Sequence, residues 1–155
     1  MYTRILVPVD GSVPSEQALA EAIDLARHLK ARMHLVHVVE PWVMLAPETM
    51  PTTVHEVAEN TRRLGARLLQ ECESKAAQAG IAVGTSLIET PGGPAGEAIV
   101  NIADDIGADL IVCGTHGRRG LRRLVMGSDA EHIVRRASVP VLLVRKREQK
   151  TAEAE

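Results

Sequence analysis

The sequence predicts an α/β protein with a mostly parallel sheet covered by helices on both faces, and three observations carry that expectation. Short apolar runs alternate along the chain with longer stretches whose apolar residues recur at helical spacing. The runs are nearly continuous, as strands buried on both faces require. Apolar residues make up 45% of the chain but include one Trp, one Tyr and no Phe, so Val, Ile, Leu and Ala must build the core. Strand–helix alternation of this kind gives βαβ units. A chain of 155 residues is long enough to bury a full core as one domain.

The elements follow in order. Ile5-Leu6-Val7-Pro8-Val9 reads as a buried strand, with Pro8 the one feature against it. Asp10-Gly11-Ser12 ends that strand, and Ser12 is placed to cap a helix with Pro14 in its first turn. Leu19, Ala22, Ile23, Ala26 and Leu29 form the face of this helix, and Met33 to Val39 is the second strand. Pro41, Pro47 and Pro51 argue against regular structure from 41 to about 53. Val57, Leu64, Leu68, Cys72 and Ala79 then continue a helical stripe to Gly80. Ile81 to Ile88 is the third strand, Pro91 to Pro94 a turn, and Ala98, Ile99, Ile102, Ala103 and Ile106 another helix face. Asp109 to Gly114 is a strand, a helix starts at Ser128, and Val139 to Val144 is an edge strand whose apolar border invites pairing with a second copy. The tail from Lys146 is charged and alanine-rich. Residues 1–147 are therefore read as one domain and 148–155 as a disordered tail. No internal repeat is evident.

Composition excludes several classes of function. A formal charge of −2 argues against a nucleic-acid binder held by phosphate contacts. No segment reaches the roughly 18 consecutive apolar residues of a membrane span. The start of the chain lacks the pattern of a secretory signal, because Arg4 and Asp10 bracket a short apolar run. Cys72 and Cys113 are far apart and make no disulfide framework, so a reduced, cytoplasmic protein is expected. His34 and His37 have opposite parity on one strand and cannot chelate one metal from the same face. No metal site, Ser/His/Asp triad or catalytic carboxylate pair is evident.

The chemistry concentrates after the fourth strand. Gly114-Thr115-His116-Gly117 is followed, nine residues on, by Gly127-Ser128 at a helix start. Backbone N–H groups and the positive end of a helix dipole converge there, as a bound phosphate requires. The loop is not a Walker loop, since no Gly-Lys-Ser/Thr occurs, and the first strand lacks G-x-G-x-x-G. In an α/β sheet, ligands sit beyond the carboxyl ends of the strands, where Asp10, Glu40, Glu89 and the Gly114 loop all lie.

The pattern Gly114-x2-Gly117-x9-Gly127-Ser128 resembles the nucleotide loop of universal stress proteins. The likeness extends to Ile5–Ser12, Ala108–Val112, His132–Val134 and Val139–Val144, in the same order. It implies a five-stranded parallel sheet sandwiched by helices, a Rossmann-like adenine-nucleotide-binding fold, in a cytoplasmic stress-response protein that dimerises through its last strand. One branch of the family binds ATP with little or slow hydrolysis and another does not bind it. Carried over to this chain, Asp10 and Val38 would contact adenosine. Gly114, His116 and Gly117 would wrap the ribose and first phosphate, and Gly127 and Ser128 would hold the outer ones. ATP or AMP is the implied ligand, with Mg as a companion ion.

Each of these residues also has a simpler reading. The glycines supply positive φ wherever a turn needs it. Ser128-Asp129-Ala130-Glu131 fits the S-x-x-E capping box, in which the hydroxyl serves the helix instead of a ligand. Asp10 before Gly11 suits an Asx turn. Arg118, Arg119, Arg122 and Arg123 reach a polyphosphate or belong to a solvated loop, without aromatic residues for base stacking. Cys113 reads as a small core residue. Trp42-Val43-Met44-Leu45 folds over a nucleotide, packs on a partner or covers the core.

Asp129 and Ala130 depart from the ATP-binding branch, where a small apolar residue and a hydroxyl are common. A carboxylate at ~5 Å from a phosphate costs roughly 3 kcal/mol at an effective dielectric of about 20 if it faces the ligand. It costs little if it points to solvent. The alternative function is accordingly a ligand-free dimeric interaction protein in which Asp129 disfavours phosphate.

Overall fold

The computed structural model describes residues 1–40, 51–90, 92–116 and 126–145, without side chains at 51–54. Within them the chain forms β1 (Arg4–Pro8), α1 (Val13–Leu29), β2 (Arg32–Val39), α2 (Pro51–Gln78), β3 (Val83–Glu89), α3 (Ala95–Asp105), β4 (Leu110–Gly114), α4 (Ser128–Arg136) and β5 (Val141–Val144). The strands make one sheet in the order β3-β2-β1-β4-β5, every neighbouring pair parallel. The expected five-stranded α/β fold is the one observed, and β5 is an edge strand. Among the described residues, no helix is long and apolar enough to cross a membrane. Gly117, the arginines of the loop, Trp42–Leu45 and the tail from 148 lie outside the described residues.

Strand parity divides the core in two. Ile5, Val7 and Val9 join Leu19, Ala22, Leu69 and Cys72 beneath α1 and α2. Leu6, Val36, Ile111 and Cys113 join Ile99, Ala103 and Ile133 beneath α3 and α4. Ser12 caps α1 as expected, its hydroxyl accepting from Ser15 N at 3.3 Å.

The starts of three elements differ from expectation by two residues or more. Helix α2 starts at Pro51, inside the stretch whose prolines argued against a helix, because proline is accepted in a first helical turn. Its Val57 and Leu64 are exposed, whereas Leu69, Cys72 and Ala76 are buried. With 28 residues α2 runs about 42 Å, while the eight residues of β2 span about 26 Å, so the first half of the helix overhangs the sheet. Strand β3 begins at Val83 because the Ile81 N–H is spent on the Ala76 carbonyl at the end of α2. Strand β5 begins at Val141, after Pro140, whose carbonyl accepts from Ile111 N.

Pro8 explains the shape of the sheet. Thr3 and Val9 bond towards β2, through Arg32 N to Thr3 O and Val9 N to Val36 O, both at 2.9 Å. Arg4 bonds towards β4, its carbonyl accepting from Asp109 N at 3.0 Å. Even-numbered residues of β1 thus face β4, and the N–H that Pro8 lacks is one that would have met β4. The β1–β4 ladder accordingly covers Ile5–Leu110 and Leu6–Ile111 and then stops, whereas β1 and β2 stay in register to Pro8–Val36.

The other end of this seam is pinned. Asp109 Oδ2 accepts from Thr3 N and Thr3 Oγ1, each at 2.7 Å, and Oδ1 accepts from Arg4 N at 2.9 Å. Burial pushes the Asp109 carboxyl up, but the bonds from the Thr3 hydroxyl and the Arg4 and Thr3 amides outweigh it and hold the group below its ordinary range. Strands β1 and β4 are tied together at their amino ends, and their ladder stops short of their carboxyl ends.

Candidate functional site

A cavity of about 550 Å³ occupies the open end of the seam. It lies where the strand order reverses, with β2 and β3 on one side of β1 and β4 and β5 on the other. The ends of β1, β2 and β4, the first turns of α3 and α4, and Thr61 on the overhanging half of α2 line it. Asp10, Val38, Gly114, His116, Gly127 and Ser128 all border this one space.

The loop after β1 is fixed by its own hydrogen bonds. Asp10 Oδ1 accepts from Ser12 N at 2.9 Å, which is the Asx turn the sequence allowed, and Asp10 N donates to the buried Ser15 Oγ at 3.1 Å. On β2, His37 is buried with Nδ1 2.7 Å from the Val9 carbonyl. A carbonyl only accepts, so Nδ1 carries the proton. His34 faces the opposite side of the sheet, its Nε2 2.8 Å from Ser86 Oγ. Burial, then the charge of Arg4, moves it below the ordinary histidine range. Among the described residues no cluster of His, Cys, Asp or Glu could hold a metal ion.

Gly114 and Gly127 do not serve turn geometry by positive φ. Neither has a positive φ, and Gly127 sits at φ −61°, ψ 150°. What Gly114 provides is space: a Cβ there would lie 2.9 Å from the carbonyl carbon, Cβ and oxygen of Pro14. Strand β4 and the start of α1 thus touch backbone to backbone beside Asp10. The flanks of the nine-residue loop are also tied together, because Gly127 N donates to Thr115 O at 2.8 Å while Thr115 N donates to Val144 O at 3.1 Å. Thr115 Oγ1 lies 3.1 Å from His116 Nδ1.

The capping box expected at Ser128 is not formed. Gly127 is the N-cap, without a side chain to offer, and its carbonyl takes the first intrahelical bond from Glu131 N at 2.9 Å. Ser128 is the first helical residue, so its own N–H and those of Asp129 and Ala130 precede the intrahelical ladder. This leaves the start of α4 to the cavity it borders.

Asp129 adopts neither of its two expected orientations cleanly. It borders the cavity, half-buried, and its Oδ1 accepts from Gly96 N in the first turn of α3 at 3.0 Å. Helix α3 has Pro94 as its N-cap and no cap bond of its own, so Asp129 supplies one from the neighbouring helix. The described lining residues include the carboxylates Asp10, Glu40 and Asp129 and no Lys or Arg. Cys113 is a core residue, its thiol pushed by burial up to about 12.

Sequence reasoning did not find Ser15, Thr61, Pro94, Ala95 or the link from Asp129 to Gly96. The βαβ pattern alone puts the first turn of every helix at the carboxyl end of the sheet. Only the strand order brings α3 and α4 side by side.

A sequence profile of the universal stress protein family matches residues 1–145. A universal stress protein of Methanocaldococcus jannaschii is 36% identical over 148 residues, covering 94% of this chain and 84% of the relative. Among solved structures, universal stress protein UspA from Lactobacillus plantarum superposes with a TM-score of 0.81 at 25% identity, over 93% of this chain and 98% of that one. A universal stress protein from Archaeoglobus fulgidus in complex with dAMP gives 0.62 at 26% identity, over 92% and 98%.

Proposed function

Because the chain belongs to the universal stress protein family, we propose that it binds an adenine nucleotide, AMP or ATP, in the cavity at the open end of the β1–β4 seam. The observation that carries this reading is the convergence of Asp10, Val38, Gly114, His116, Gly127 and Ser128 on one cavity at the switch point, with the uncapped start of α4 facing it. The complex of the Archaeoglobus fulgidus relative with dAMP supports the choice of adenine. In this reading Asp10 and Val38 hold the adenosine half. Gly114, His116 and Gly117 hold the ribose and first phosphate, and Gly127 and Ser128 any outer phosphate, with Mg as the counter-ion of a polyphosphate. The protein acts in a cytoplasmic stress response by regulation or interaction, and turns over ATP slowly at most.

Calorimetric titration with AMP and ATP, with and without magnesium, tests the reading. Saturable heat is expected, and nucleotide at about 100 times Kd should add about 2.7 kcal/mol of stability. No heat and no shift in melting temperature at millimolar nucleotide would remove it. A ligand-free interaction protein is the second reading, favoured by the three carboxylates of the described lining.

Edge strand β5 supports homodimerisation in either reading: among the described residues it is paired on one side only, and its Leu142 is exposed. Light scattering at micromolar concentration should give twice the mass of the chain. A monomer mass there excludes this interface.

A further inference from the structure

We infer that Asp129 makes this site selective for a single phosphate, so that it takes adenosine monophosphates in preference to ATP. The inference rests on the adenine-nucleotide reading above and concerns the phosphate end of the same cavity.

Three observations combine. First, the Asp129 carboxylate is fixed instead of swinging freely: Oδ1 accepts from Gly96 N at 3.0 Å. Second, the two helices it joins are in close contact at that point. A Cβ on Gly96 would fall 2.8 Å from His132 Cβ and 2.9 Å from Asp129 O, so there is no slack through which α3 could carry the carboxylate away. The negative charge is therefore held where the first turns of α3 and α4 meet, a position that both helix dipoles favour for an anion. Third, Asp10 and Glu40 border the same cavity, so its described lining carries three carboxylates.

The residue roles of the adenine-nucleotide reading order the charges along the cavity. A nucleoside seated over the ends of β1 and β2, at Asp10 and Val38, directs its first phosphate to Gly114 and His116 at the end of β4. Each further phosphate extends towards Gly127, Ser128 and then the fixed carboxylate of Asp129. The repulsion rises with phosphate number, because both the charge and its approach to Asp129 increase. Asp129 is thus a positioning residue for α3 and a charge filter for the ligand.

Asp129→Asn separates these roles, since the Asn carbonyl still accepts the Gly96 N–H while the charge is gone. AMP and ATP are titrated into both proteins at one ionic strength, first without magnesium and then with it. The native protein should bind AMP about tenfold more tightly than ATP. In D129N the ATP affinity should rise about tenfold and the AMP affinity by less than about threefold, closing the gap. Thermal melts of both proteins check that the fold is kept.

Native protein that binds ATP as tightly as AMP, or more tightly, overturns the inference without a variant. So does an ATP-to-AMP ratio that is the same in both proteins. An ATP affinity in magnesium that falls in D129N overturns it too, because Asp129 would then be holding the ion. Absence of binding by either nucleotide to either protein overturns the adenine-nucleotide reading itself.

Discussion

Gly114→Ala is expected to cost about 1–3 kcal/mol of stability and to weaken adenine-nucleotide binding at the same time. The new methyl group would stand 2.9 Å from three atoms of Pro14, two of them backbone and the third part of a rigid ring. No flexible side chain can move aside, so β4 and the start of α1 must separate. Alanine has no backbone objection to the site, because Gly114 has no positive φ, and the whole effect is steric. Helix α1 begins directly after the Asp10–Ser12 turn, whose bonds link Asp10 to Ser12 and Ser15, so the displacement reaches the Asp10 end of the cavity. Urea unfolding with nucleotide calorimetry on the same sample checks both halves. An unchanged midpoint, or lost stability with intact binding, would show that this contact does not build the site.

Ile133→Ala should cost more, about 2–5 kcal/mol. Helix α4 has nine residues, too short to hold itself, and Ala130 and Ile133 are its buried residues. Ile133 is 2% exposed among Leu6, Val36 and Ile111 and also borders the cavity. Shortening it loosens the helix whose first turn borders the cavity. The neighbouring Val134, 46% exposed, is the control. Val134→Ala should stay within about 0.5 kcal/mol. Equal unfolding midpoints for the two variants would contradict the anchoring role of Ile133.

The fold was legible because two-faced burial leaves a pattern in the chain. The run Leu110 to Cys113 reads as buried and is buried throughout. The Gly114–Ser128 spacing pointed to the end of β4, where the cavity lies. What was not legible depends on tertiary placement. Val57 and Leu64 obey helical spacing as well as Cys72 does, yet both are exposed, because at Gly65 it is the neighbouring face of α2 that meets His37 and Leu87. Ser128 has the sequence of a cap, yet Gly127, whose N–H is held by Thr115, is the N-cap and Ser128 is the first helical residue. The partner of Asp129 is 33 residues away on another helix, and local pattern carries no trace of it. Pro8 looked like a mark against the first strand because sequence does not say which side of a strand each N–H faces.

That proline has a mechanical consequence. Of the four ladders in the sheet, the one between β1 and β4 is the shortest, so cohesion between the β3-β2-β1 lobe and the β4-β5 lobe is weakest at the carboxyl end. A molecule seated across Asp10 and Gly114 would touch both lobes at the place where the backbone no longer joins them. It would act as a staple, and its binding energy would enter the fold as interstrand cohesion. Occupancy would stiffen the middle of the sheet, and a signal begun at the cavity would be available at β5, on the far edge, without any helix having to change partner.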